Sequence, residues 1–273
     1  MKFSLSTRTI QTDLPAFVMG IVNVTPDSFW KESRGGFEHA LKLIEQGADI
    51  LDIGGESSRP GSAYVSEEEE LSRIIPVIQE IRKVSDIPIS VDTRKKNVME
   101  KAFEAGADIL NDISALEDDW EMGKFCGKHG IPVILMHKRG TPADMQNNTS
   151  YEDVFKEIND YLVERAEYAI SCGISEDKII LDPGVGFGKG LKENAKLIKD
   201  AGKLGNGRFM ILMALSRKTC IGQMTGKDIS GRLSGTLAGD LISVMNGARM
   251  VRVHDVAETV DTLKVLGYIN SIS

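Results

Sequence analysis

Short unbroken apolar runs alternate along the chain with longer stretches in which apolar residues recur every three or four positions. Phe17 to Val24, Ile50 to Ile53, Ile87 to Val91 and Pro132 to Met136 suit strands covered on both faces, the habit of a parallel sheet. The spacing between them predicts helices. One, from about Phe37, places Ala40, Leu41 and Ile44 on one face and stops at Gly47. Ser66 caps the next, Glu69 completes a capping box, and Leu71, Ile74, Ile75, Ile78 and Ile81 form the apolar face. Pro76 should kink that helix. A helix through Val98 and Phe103 closes at Gly106, and after the strand Ile109-Leu110 a short helix precedes Gly130. The longest helix, about Tyr151 to Cys172, carries Val154, Ile158, Leu162, Ala166 and Ala169 at helical spacing before Gly173.

Three apolar residues, Ile179-Ile180-Leu181, then stop at Asp182 and a Pro/Gly-rich turn, with a helix to about Leu204. Phe209 to Leu215 is the seventh strand, Arg232 to Met245 a helix, Met250 to Val253 the eighth strand, and a last helix finishes the chain. Alternating units of this kind imply a parallel sheet, and eight of them imply a closed α/β barrel. The expected architecture is a (β/α)8 TIM barrel forming a single domain over residues 1–273. A doubly wound open sheet is the alternative, but it seldom needs eight equivalent units.

Composition narrows the function. A length of 273 residues fits one such barrel, and 41% hydrophobic with 27% charged residues describes an ordinary globular chain. The net charge of −7 argues against a broad nucleic-acid face, while leaving room for a local cationic pocket. No apolar run approaches the ~20 residues of a membrane span, and the first 14 residues read as a polar lead-in. Cys126, Cys172 and Cys220 are scattered and lack metal spacing, which fits a reducing cytoplasm.

In such a barrel the site lies at the C-terminal ends of the strands. Those ends read Asn23, Ser58 with Arg59, Asp92, Asn111, Met136 with His137, Asp182, Ser216 with Arg217 and Lys218, and Arg252 with His254. Loops are polar in any protein, so no one position decides the matter; a polar group at every strand end does. Lys218 and Arg252 fall where these barrels hold phosphate. A ring of Asp92, Asn111, Asp182 and Lys218 suits a heterocycle with an amide carbonyl beside a guanidine-like edge, as in purines and pterins. Gly184-Val-Gly-Phe-Gly-Lys189 lacks Walker spacing, and His39 and His129 read as solvated helix positions. His137 and His254 form no zinc-binding pair, and Cys220 reads as core.

Ordered motifs then resemble a known family. Met19-Gly-Ile-Val-Asn-Val-Thr-Pro-Asp-Ser-Phe29, Gly54-Gly-Glu-Ser-Ser-Arg-Pro-Gly61, Ser90-Val-Asp-Thr93, Asn111-Asp-Ile113, Leu135-Met-His137, Leu181-Asp-Pro-Gly184, Ser216-Arg-Lys218 and Arg252-Val-His-Asp255 are similar, from about residue 17 to the end, to the dihydropteroate synthases. The resemblance implies a TIM barrel, usually a homodimer and a sulfonamide target. It joins 4-aminobenzoate to 7,8-dihydropterin-6-ylmethyl diphosphate, releasing diphosphate and forming 7,8-dihydropteroate in folate synthesis. By the same resemblance Asp92, Asn111, Asp182 and Lys218 hold the pterin, with Met136 and Phe187 as apolar neighbours. Arg252, His254 and Asn23 bind the diphosphate, and Asn23 also reaches Mg2+. Phe29, Ser58, Arg59, Pro60 and Ser216 frame the aminobenzoate, and loops at about 24–36 and 57–66 close over the site as mobile covers. Of these, Asp92, Asp182, Lys218, Arg252 and His254 are the expected catalytic set.

Three positions depart from the family pattern: Ser58 for Thr, Ala214 for Gly, and Lys31 where an Asp is expected in a longer first loop. Two other readings follow from the same residues. A pterin-binding methyltransferase barrel would share Asp92, Asn111 and Asp182 but has no need of the Lys218, Arg252 and His254 cations. A paralogue that binds pterin without condensing it is motivated by Lys31.

Overall fold

The computed structural model describes residues 1–24, 34–57, 62, 64–140 and 149–272. Two short antiparallel strands come first, β1 (Lys2–Ser4) and β2 (Thr9–Gln11), with Phe3 opposite Ile10. The repeating units follow: β3 (Phe17–Asn23), α1 (Arg34–Glu45), β4 (Ile50–Gly54), α2 (Glu67–Arg82), β5 (Ile89–Asp92), α3 (Lys96–Glu104), β6 (Ile109–Asp112) and α4 (Met122–His129). Then come β7 (Val133–Met136), α5 (Val154–Ser171), β8 (Ile179–Asp182), α6 (Leu191–Lys199), β9 (Met210–Met213), α7 (Thr219–Thr225), α8 (Leu233–Met245), β10 (Met250–Val253) and α9 (Val256–Ser271). Strands β3 to β10 pair in parallel, and β10 returns to β3 with Arg252 beside Met19, closing the barrel. This is the expected (β/α)8 architecture.

Side chains on a strand point alternately to its two faces, so a closed parallel barrel needs two apolar sets. The larger set fills the space between strands and helices and includes Val18, Leu51, Val91, Leu110, Leu135, Leu181, Met213 and Val251. The inner set fills the barrel itself: Phe17, Met19, Ile50, Ile109, Ile134, Ile180, Leu212, Ala214 and Met250. Phe3 and Leu5 belong to this inner set, the Phe3 ring meeting Phe17 edge-on at 6.3 Å. The N-terminal hairpin therefore seals the barrel at the end where β3 begins.

That hairpin corrects the reading of the first residues as a polar lead-in. Its apolar signal is carried by Met1, Phe3, Leu5 and Ile10, and three-residue strands are too short for periodicity to reveal. Other differences have similar causes. Helix α1 begins at Arg34, not Phe37, because Gly35 and Gly36 belong to its first turn. A side chain at Gly36 would press on Val77 at 3.2 Å, so its absence lets the helix seat closely. Helix α6 stops at Lys199, and a 3-10 segment, Ala201–Gly207, follows it. Helix α7 and the 3-10 turn Ile229–Gly231 lie in the connection before α8, both too short to announce themselves. Pro76 sits inside one uninterrupted α2. Ser72, whose carbonyl loses its partner to that proline, lies at the exposed surface where water supplies one. His39 is half-buried with a ring nitrogen 3.2 Å from the Ile21 carbonyl, rather than solvated.

Loss of the hairpin's anchor should open the sealed end. Phe3→Ala is expected to destabilise the fold by about 3 kcal/mol, the usual cost of removing a buried Phe, read as a lower urea midpoint. A midpoint unchanged from the parent would show that the hairpin is not part of the core.

Candidate functional site

The inner apolar set decides where chemistry can begin. Moving two residues along each strand keeps a side chain on the same face. One such step beyond the inner apolar layer leads from Ile50 to Asp52, Ile109 to Asn111, Ile134 to Met136, Ile180 to Asp182, Leu212 to Ala214 and Met250 to Arg252. Strand register adds neighbours: Asn23 lies beside Gly54, Gly54 beside Asp92, and Asp92 beside Asn111. Met136 lies beside Asp182. The C-terminal mouth is thus floored by polar groups directly above an apolar plug.

Arg252 is the centre of that floor. Its Nε donates to Asp52 Oδ2 at 2.6 Å and its Nη2 to Asp92 Oδ2 at 3.2 Å. Asn111 Nδ2 donates to the same Asp52 oxygen at 3.1 Å. Asp52 is fully buried, and its Oδ1 has no hydrogen-bond partner among the described residues. Asp52 was not singled out from sequence. Its signal in the sequence is a lone carboxylate inside the apolar run Ile50 to Ile53, away from the strand end. Burial raises the Asp92 carboxyl, Arg252 opposes the shift, and the like charge of Asp52 adds to it, leaving it pushed up to about 7. Burial works against the Arg252 charge, yet Asp52 and Asp92 outweigh it and hold the guanidinium above its ordinary range.

Across the mouth, burial raises Asp182, while Lys218 and the Gly184 N–H, which donates to Asp182 Oδ1 at 2.7 Å, pull it back. Lys218 is lowered by desolvation and sustained by Asp182. Its Nζ donates to the Val185 carbonyl at 2.5 Å and lies 4.9 Å from the centre of the Phe187 ring. Asp182 feels the charges of both Lys218 and Arg252, so these three groups lie near one another at the C-terminal end of the barrel. At the rim Ser216 is buried, and its Oγ accepts from the His254 N–H at 3.1 Å and lies 2.9 Å from His254 Nδ1. The two residues expected at separate subsites therefore touch. Arg217 adopts a left-handed backbone (φ 56°) and forks onto Asp255. Its N–H is fixed by Thr236 Oγ1 at 3.0 Å, which turns Ser216 and Lys218 toward the mouth.

Asp112, one residue past Asn111, points away. Its carboxylate accepts from Ser114 and the Leu116 N–H, bracing the next loop. Ala214, the small departure from the family pattern, lies in the inner apolar set. Phe29, Ser58, Arg59, Pro60 and Lys31 lie outside the described residues, as do parts of both expected covering loops. Asn23 offers a neutral amide oxygen at the end of β3, a donor suited to a hard cation such as Mg2+, which usually takes one or two protein ligands together with substrate phosphates. Among the described residues no group of three His, Cys, Asp or Glu side chains is placed to hold an ion.

Comparison with known proteins agrees with this geometry. A family model described as pterin binding enzyme matches residues 19–254. The dihydropteroate synthase of Escherichia coli K12 is 44% identical over 257 residues, covering 91% of this chain and 90% of that protein. The structure of Xanthomonas albilineans dihydropteroate synthase with 4-aminobenzoic acid superposes with a TM-score of 0.93 at 40% identity, covering 100% of this chain and 99% of that one. A structure of the Xanthomonas albilineans enzyme in complex with 7,8-dihydropteroate gives a TM-score of 0.90 at 38% identity, with 100% of both chains covered.

The carboxylate pair makes a measurable prediction. A carboxyl raised from 3.8 to about 7 contributes stability that is full below pH 3.8 and is lost as the pH climbs through about 7. Asp52→Asn removes the like charge and frees Arg252 for Asp92, so the Asp92 titration should move to lower pH. Carbon-detected NMR of the Asp92 carboxyl would show it; an unmoved midpoint would mean the two acids are not coupled.

Proposed function

The chain belongs to the pterin-binding enzymes and, within them, to the dihydropteroate synthases, and from that premise we propose how its barrel mouth condenses 7,8-dihydropterin-6-ylmethyl diphosphate with 4-aminobenzoate. The observation that carries the reading is the Asp52–Arg252–Asp92 network with Asn111 on one side of the mouth and the Asp182–Lys218–Phe187 group on the other. A flat heterocycle between them meets carboxylates for its N–H edge and an ammonium for its carbonyl. Buried polar readout of this kind rejects rings that leave those groups unpaired. Met136 and Phe187 supply apolar contact on the ring.

The diphosphate then extends from Arg252 at the floor toward the rim, with His254 and Asn23 completing the anion-binding set. Mg2+ bound through Asn23 would neutralise charge on the leaving group. As the bond between the methylene carbon and the diphosphate oxygen breaks, negative charge grows at the rim and positive charge on the methylene. Arg252 and His254 face the first; the carboxylates of Asp92 and Asp182 face the second. The neutral aniline nitrogen of 4-aminobenzoate attacks the methylene and loses one proton, giving 7,8-dihydropteroate and diphosphate without a covalent enzyme intermediate. Ser216, tied to His254, sits where the two substrates meet, and Phe29, Ser58, Arg59 and Pro60 complete the aminobenzoate side of this reading. Sulfonamides, which share the aniline and an acidic para substituent, should compete at that side.

The reading extends to assembly and compartment. The outer faces of the neighbouring helices α8 and α9 expose Ile242, Met245, Val265, Tyr268 and Ile269, which supports a homodimer. Cys126, Cys172 and Cys220 are all free thiols, which supports a reducing cytoplasm. No helix among the described residues is long and apolar enough to cross a membrane.

The direct test is diphosphate release from the pterin substrate with and without 4-aminobenzoate. One diphosphate per dihydropteroate, and none without the amine, is expected; pterin binding with no product would favour the non-condensing paralogue. Lys218→Ala should lower kcat/KM by about a thousandfold, the scale for removing a preorganised charge at such a site, and weaken pterin affinity with it. Sedimentation should give twice the chain mass, and an Ile242→Glu, Met245→Glu variant should give the monomer.

A further inference from the structure

Lys189 plays no part in the chemistry above, yet it is one of the most buried cations in the chain, 3% exposed. It closes the turn that follows Asp182, in which Gly184, Gly186 and Gly188 all adopt left-handed backbone (φ 66°, 88° and 68°). That conformation turns carbonyls inward. Lys189 Nζ donates to the Gly184 carbonyl at 2.9 Å and the Phe187 carbonyl at 2.8 Å, and lies 2.9 Å from His137 Nδ1; the His137 carbonyl is at 3.3 Å. An ammonium has three N–H groups and no lone pair, which matches two carbonyls and a neutral imidazole. His137 is suited to that part, since burial and then Lys189 push its ring down to about 3.

The other face of the turn is held by different groups. Lys218 takes the Val185 carbonyl, Tyr151 Oη donates to the Gly188 carbonyl at 3.0 Å, and Asn194 bridges the Gly186 N–H and the Lys189 carbonyl. Two ammonium groups thus grip one turn from opposite sides, with Asp182 the carboxylate between them. The space is tight: a side chain at Gly184 would fall 1.9 Å from the His137 carbonyl.

We infer that Lys189 is a positioning residue for pterin recognition, acting through the turn it holds to set the Phe187 ring and the Lys218 ammonium against the substrate ring. This rests on the reading that Asp182, Phe187 and Lys218 hold the pterin. A buried cation without a carboxylate in its own hydrogen-bond shell costs stability, and carbonyls that converge on it tie that cost to one loop geometry. A second consequence is electrostatic. Lys218 is faced by Asp182 on β8, Cys220 on α7, Arg252 on β10 and, across the turn, by Lys189. Burial pushes Lys189 well below the ordinary lysine range; Asp182 opposes that shift and the Lys218 charge adds to it.

Lys189→Met keeps the length and apolar stem and deletes the donors and charge. The expected result in the full-length enzyme is a pterin diphosphate affinity lower by about tenfold in calorimetry, the scale of a lost supporting contact, with the KM for 4-aminobenzoate unchanged. A loss confined to pterin, with 4-aminobenzoate untouched, is what a generally loosened fold would not produce. Should Lys189→Met fail to fold, His137→Leu, which removes one acceptor of the cage, decides: a several-fold loss confined to pterin supports the inference. Folded Lys189→Met, or His137→Leu in its place, binding pterin like the parent overturns it. Lys218→Ala separates the premises. If that variant still binds pterin normally, the site reading itself fails; if it loses pterin while Lys189→Met does not, only the inference fails.

Discussion

Arg252 is the hinge of this site's electrostatics. A guanidinium reaching two carboxylates in a barrel floored with Ile, Met and Leu has no neutral alternative, since arginine keeps its proton in proteins. The carboxylates must then settle around it. Asp52, fully buried, holds the Nε side, and Asp92 is left at the edge of ionisation. Asn111 joins through the same Asp52 oxygen, so one buried carboxylate orients both a cation and an amide. Breaking such a cluster at any member leaves a buried charge unpaired, which costs far more than the intact pair contributes.

The other side of the cavity is organised by backbone conformation. Three left-handed glycines turn the segment after Asp182 into a nest of carbonyls, and the two lysines that satisfy those carbonyls come from opposite sides. Asp182 pairs with a backbone N–H and faces both cations. Left-handed backbone at Arg217 is the matching device in the loop after the neighbouring strand: it spends strain on a non-glycine residue to turn Ser216 and Lys218 toward the mouth.

Much of this was legible beforehand, for a definable reason. Strands buried on both faces announce themselves as apolar runs, and helices over them as three-and-four spacing, so eight units could be counted and their polar ends gathered at one mouth. Asp92, Asn111, Asp182, Lys218 and Arg252 were found because each ends a strand or follows it closely. Asp52 was missed because it lies inside a strand, where only the two-residue alternation above Ile50 betrays its direction. The roles of Lys189 and His137 could not be read either, because they depend on carbonyls brought together by left-handed glycines, and carbonyls leave no trace in side-chain identity. The N-terminal hairpin escaped since its strands are only three residues long, too short to set a period. Segments at 25–33, 58–61 and 141–148 lie outside the described residues, and with them the aminobenzoate side of the reading.

The hairpin has a kinetic corollary. With Phe3 and Leu5 stoppering the base and aliphatic side chains filling the bore, the barrel is a vessel with one neck. Whatever docks on the floor must travel past the rim to reach it and past the rim again to depart. On the proposed reading the flat ring is then the first guest to arrive, and the enlarged product that contains it is the last to leave, after the small anion at the lip has gone. Traffic in this molecule is queued by architecture, before any loop takes a side.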